Sequence, residues 1–178
     1  MSDLLFAFTE WLRTTQLVEI SLWISNSWLC TWLQSHFFAI PILQTIHLLA
    51  IATLFASTLM INFKVLGLTG ETRTVNQVID RYRGWMWGAV IVAVLTGILL
   101  VCSEPVRNMI NPGFWLKMAG LLIVTLLSAW FHSAVRARTS HGEMTLDGAA
   151  GLRLTAVLII LLWCGVITGG RWIAYLQF

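Results

Sequence analysis

Between Ser35 and Phe63 the chain carries no Lys, Arg, Asp or Glu. A helix of about 20 apolar residues crosses a hydrocarbon core ~30 Å thick, so residues 37–63 read as a membrane span with length to spare for tilt. The composition agrees. Of 178 residues 58% are hydrophobic and 11% charged, with a mean hydropathy of +0.80, far more apolar than a soluble domain of this size. The expected class is all-α, an integral membrane four-helix bundle preceded by an N-terminal amphipathic interfacial segment.

Three further apolar stretches follow, at about 85–101, 114–135 and 154–173. Residues 1–35 read differently: Leu22, Trp28, Leu29, Trp32 and Leu33 recur at helical spacing with polar residues between them. Trp11, Trp23, Trp28 and Trp32 favour the headgroup level. One or two interfacial helices are expected there, and Pro41 marks a place where a helix restarts or kinks. The start, with Asp3 and Glu10 and no basic n-region, does not read as a cleaved signal peptide. The domain boundaries are therefore 1–35 and 36–178.

Seven of the eleven Lys and Arg lie in the connections 64–83 and 136–153. The positive-inside rule puts those connections in the cytoplasm and both termini in the periplasm of a bacterial inner membrane. Trp85, Trp87 and Trp130 fit an inner aromatic belt. Gly84/Gly88 and Gly165/Gly169 have the four-residue spacing that lets membrane helices approach closely. The net charge of +3 comes from topology signals rather than a basic run, which argues against nucleic acid as a partner.

Ionisable side chains inside a span point to function. His36 and His47 are eleven residues apart, which on one helix puts them within roughly 20° of each other. His36, Gln44, His47, Thr58 and Asn62 fall on one stripe of the first span, and Lys117, Thr125, Ser128 and His132 on one stripe of the third. Two such helices are most simply paired across a bundle interior. Imidazoles in that setting suit haem b.

His47 and His132 make a poor axial pair. His47 lies 17 residues before Lys64 and His132 four before Arg136, a depth mismatch of about 20 Å at ~1.5 Å per residue. Lys117 and Met118 lie at the depth of His47. His47 is therefore the leading haem-iron ligand and Lys117 its partner, with Met118 as another ligand type. His132 is a separate site or a structural residue, and His36 belongs to the outer interface, where its alignment with His47 would place it at a haem propionate or in a second ligand set. The bland readings are a solvated His141, anchoring tryptophans, and cysteines that form no metal site. Cys30–Cys102 is one pairing left open. Phosphate-cradling glycine loops, zinc-protease motifs, a nucleophile elbow and carboxylates within spans are all missing.

The runs IPILQTIHLLAIATLFASTLMINFKVLGL, RYRGWMWGAVIVAVLTGILL and NPGFWLKMAGLLIVTLLSAWFH resemble an uncharacterised family of bacterial four-span inner-membrane proteins. The resemblance rests on the mid-span His-Leu-Leu, the Thr-Gly ending of span two, the Asn-Pro-x-Phe-x-x-Lys opening of span three and the His closing it. It covers about residues 36–170. More distantly the chain is similar to CopD-type membrane domains and to HemJ-type membrane protoporphyrinogen oxidases. The HemJ likeness implies a haem-associated His and Lys at His47 and Lys117.

The expected function is a haem b-binding membrane protein in electron transfer, partnered by the bilayer and by a quinone or redox protein. The alternative is a non-enzymatic membrane subunit or a copper or small-solute permeation protein. Self-association into a homo-oligomer stays open.

Overall fold

The computed structural model describes residues 2–70, 72–139 and 150–172. Among these residues the regular elements are helices, without a strand: α1 (Ser2–Arg13), α2 (Leu17–Ser25), α3 (Trp28–Ser35), α4 (Ala39–Leu66), α5 (Val75–Ser103), α6 (Pro105–Met109), α7 (Pro112–Thr139) and α8 (Ala150–Trp172). The expected solvated loop around His141 lies outside the described residues.

Helices α4, α5, α7 and α8 are each long and apolar enough to cross a bilayer. They also turn apolar side chains outward. Leu49 on α4, Leu95 on α5, Leu116 on α7 and Leu161 on α8 are all more than half exposed. Water would oppose so much apolar surface on every long helix, whereas lipid accepts it while the helices satisfy their own backbone. The chain is a multi-pass membrane protein.

Local side-chain chemistry sets the helix ends, and it moves several of them from where hydropathy placed them. Helix α5 starts ten residues before the expected Trp85, because Thr74 and Gln77 form a reciprocal capping box: the Gln77 N–H donates to Thr74 Oγ1 (3.4 Å) and the Thr74 N–H to Gln77 Oε1 (3.0 Å). The expected 64–83 connection thus shrinks to residues 67–74. Helix α4 ends where Gly67 turns to φ +75° and the Leu68 N–H reaches back to the Phe63 carbonyl (3.0 Å). At the start of α7, Pro112 takes the first helical position and Asn111 Oδ1 accepts the Gly113 N–H (2.8 Å).

Two expectations are corrected here. The N-terminal segment forms three helices rather than one or two. The first long helix begins at Ala39, with Pro41 in its first turn where a missing N–H is harmless. His36 is the C-cap of α3 in an extended conformation (φ −101°, ψ 104°). It therefore does not share a helix face with His47.

The chain divides into two compact units, one from residues 2–50, 91–118 and 169–172 and the other from 51–90 and 119–168. In the first, α2 packs on α6. Gln34 Nε2 donates to the Ser103 carbonyl (2.8 Å) and ties α3 to the end of α5. Cys30, fully buried beside that bond, has its thiol pKa pushed up, chiefly by burial and further by Cys102. Cys30, Cys102 and Cys164 are all free thiols.

The second unit has a core to which four helices contribute: Ile61 and Val65 from α4, Val78 and Ile79 from α5, Val124, Phe131 and Val135 from α7, and Leu152, Ala156, Ile159 and Trp163 from α8. The glycine pairs behave unlike their motif. A Cβ at Gly84, Gly88, Gly165 or Gly169 would meet nothing within 4 Å, so these positions are not close helix crossings. The tight approach in this unit is at Gly120, where a Cβ would lie 3.0 Å from Val166 Cγ2.

Candidate functional site

His47 sits in the first unit on α4, half-buried. Its Nδ1 is 2.8 Å from Thr96 Oγ1 of α5. A hydroxyl has one hydrogen, and Thr96 gives it to the backbone of its own helix, at 2.6 Å from the Val92 carbonyl. Toward His47 the hydroxyl can only accept. Nδ1 therefore carries the imidazole proton and Nε2 presents the lone pair.

The ring can reach α5 because the next residue is glycine. A Cβ at Gly97 would stand 3.3 Å from His47 Cε1 and 3.9 Å from Nδ1, so a side chain there would crowd the imidazole. Thr96 and Gly97 thus act together, one fixing the tautomer and the other leaving room for the ring.

Lys117, half-buried on α7, interacts electrostatically with His47. Its side chain runs across Gly170 of α8, where a Cβ would meet Cε at 3.2 Å and Nζ at 3.3 Å. It is not a member of the ion pairs Arg13–Glu10, Arg107–Glu104 and Arg136–Asp80. The corner before it is braced: Trp115 Nε1 donates to the Met109 carbonyl (2.9 Å) and the Asn111 cap starts α7. This unit therefore holds an imidazole with an available lone pair and an amine, each half-buried.

The other candidates lie elsewhere. Met118, next to Lys117, is 45% exposed and points away from the packed face of α7. His36 is exposed, with Nδ1 donating to the Trp32 carbonyl (2.8 Å) and its ring against Trp32 at 4.4 Å. His132 belongs to the second unit, buried next to Phe131. The stripes are also incomplete: Thr58, Asn62 and Ser128 are buried as expected, but Gln44 and Thr125 are exposed. A wide arc on a helix net includes residues that a tilted, packed helix turns outward. A groove of about 290 Å³ in the second unit, lined by Thr53, Ala56, Ser57, Met60, Tyr82 and Trp85, contains none of the candidate residues.

Sequence reading alone missed Thr96, Gly97 and Gly170 as partners. The signal was a Thr-Gly pair inside an otherwise apolar run, seen as a motif but given no role.

Residues 12–176 match a family described as a family of unknown function (DUF6644). No curated protein and no solved structure matches the chain.

Proposed function

This chain belongs to the DUF6644 family of unknown function, and from that premise we propose that it is a haem b-binding membrane protein that passes electrons. His47, through Nε2, and the Lys117 amine are the residues that would hold the haem iron. The observation that carries the reading is the His47–Thr96 hydrogen bond. Histidines that bind metals characteristically donate their other ring N–H to a fixed acceptor, which sets the tautomer and makes the ligating nitrogen more basic. Thr96 is such an acceptor, and Gly97 gives the ring its seat.

The donor set fits the group. A porphyrin brings four nitrogens of its own, so one or two side chains complete the iron. A bare copper ion, the alternative, is less well supported, because among the described residues no three His, Cys, Asp or Glu converge. When bound, the haem would supply one-electron exchange at iron. The chain's own part is to hold the imidazole in one tautomer, keep an amine beside it and surround both with apolar helices.

The reading places the protein in a bacterial inner membrane with periplasmic termini, supported by Arg73 in the first connection and by Lys64, Arg81, Arg83, Arg136, Arg138 and Arg153 on the helix ends that flank the two connections. Its electron partner is a quinone or a redox protein. The distant likeness to the HemJ-type oxidases adds the same two residues, His47 and Lys117, without adding their reaction.

The test is optical. Protein purified in detergent from haem-replete cells is expected to show a reduced-minus-oxidised haem b spectrum and a pyridine haemochrome that His47→Ala abolishes. A colourless wild-type preparation would overturn the proposal.

A further inference from the structure

We propose that Asn62, His132 and Trp163, in the core of the second unit, form an internal hydrogen-bonding site that holds water between α4, α7 and α8. The inference rests on a different unit from the haem reading and stands without it.

Burial and unmatched polarity coincide at these residues. Asn62 is 0% exposed, Trp163 2% and His132 9%. Both amide atoms of Asn62, His132 Nε2 and Trp163 Nε1 have no hydrogen-bond partner in the protein. Their neighbours in sequence, Ile61 and Phe131, belong with Trp163 to a single core cluster, so the unmatched atoms come from three helices that pack around one interior. Most buried polar atoms in proteins are paired, and an unpaired one marks a place where something else supplies the bond.

One turn earlier on α4 and α7 stand two buried hydroxyls. Thr58 donates to the Leu54 carbonyl (2.9 Å) and Ser128 to the Val124 carbonyl (2.7 Å). Each hydrogen is committed to its own helix, so both oxygens offer only lone pairs. The site then has donors at Asn62 Nδ2 and Trp163 Nε1 and acceptors at Asn62 Oδ1 and the two hydroxyls. His132 Nε2 serves as either. An occupant must both donate and accept.

The side chains of the surrounding cluster are hydrophobic, and an ion would lose its hydration among them, so a neutral occupant is favoured. Among small neutral molecules water meets both conditions, and buried water in proteins makes about three hydrogen bonds to groups of this kind. A bound water also gives the His132 imidazole a partner for proton exchange.

The experiment measures the water and the cost of losing it. Wild-type protein in detergent is irradiated in H₂¹⁸O with brief X-ray pulses, and ¹⁸O incorporation is read residue by residue by mass spectrometry. Trp163 and His132 are expected to label despite their burial, well above Phe131, which is also buried. Labelling of Trp163 no higher than that of Phe131 would overturn the proposal. Asn62→Leu is expected to reduce the Trp163 label and to lower the apparent Tm by roughly 3–6 °C, through loss of hydrogen bonds to the water. A rise in Tm would overturn it too, because removing amide atoms that had no partner stabilises the core. Should Asn62→Leu fail to fold, the wild-type labelling alone decides.

Discussion

The two units treat buried polarity in opposite ways. In the first, His47 and Lys117 are only half-buried, yet the imidazole has a matched partner in Thr96 and each side chain lies over a glycine that makes room for it. In the second, Asn62 and His132 are buried more deeply, and polar atoms on both lack a partner in the protein. Burial alone would have ranked the second unit as the more specialised. The difference teaches that the state of the hydrogen bonds says more. An imidazole with one nitrogen committed has the other ready to ligate, whereas unmatched atoms in an apolar core call for a small hydrogen-bonding guest.

The substitutions that would break or sharpen this contrast differ in size. The largest effect is expected from His47→Ala, with complete loss of the haem b spectrum, while His132→Ala should leave that spectrum intact. Bleaching by His132→Ala would erase the distinction between the units. Next comes Gly97→Val. Its Cβ would already crowd His47 Cε1 at 3.3 Å, and the added methyls should cost about 1–3 kcal/mol, read as lower apparent Tm and reduced haem content together.

Thr96→Val keeps the shape but removes the acceptor for Nδ1–H. It should weaken haem retention by roughly 10–100-fold in a haem-transfer assay, the size of effect typical for the outer partners of metal ligands. Thr96→Ser should restore retention. If valine behaves like threonine, the hydrogen bond is structural and the reading of the tautomer fails.

The smallest effect concerns Cys30. Its thiol is fully buried and its pKa lies above the ordinary value because burial disfavours the thiolate. Maleimide at pH 8 should therefore modify Cys30 slowly in the folded protein and rapidly after denaturation, as measured by mass spectrometry.

Much of the fold was legible because lipid imposes a simple rule. A segment crossing the bilayer must be apolar, long and helical, so four such stretches imply four such helices. Helix ends were harder to read. The Thr74–Gln77 capping box extended α5 well before its apolar part, since a cap is a matter of hydrogen bonds that hydropathy does not register. The His36–His47 alignment failed because the chain leaves the helix between α3 and α4. The Gly84/Gly88 and Gly165/Gly169 spacings marked no crossing, because four-residue spacing puts two glycines on one face without saying what that face meets.

By itself the sequence determined the class of the molecule and the residue types open to chemistry: a four-span helical membrane protein with His47 and Lys117 among its few intramembrane ionisable groups. It could do so because hydropathy and charge are properties of each residue alone. Only the tertiary structure decided which helix faces His47, that Thr96 and Gly97 receive its ring, that Lys117 lies over Gly170, and that Asn62, His132 and Trp163 present unmatched atoms in a closed core. Those are relations between residues far apart in the chain, set by how each helix is rotated and packed, and the period of a single helix does not contain them.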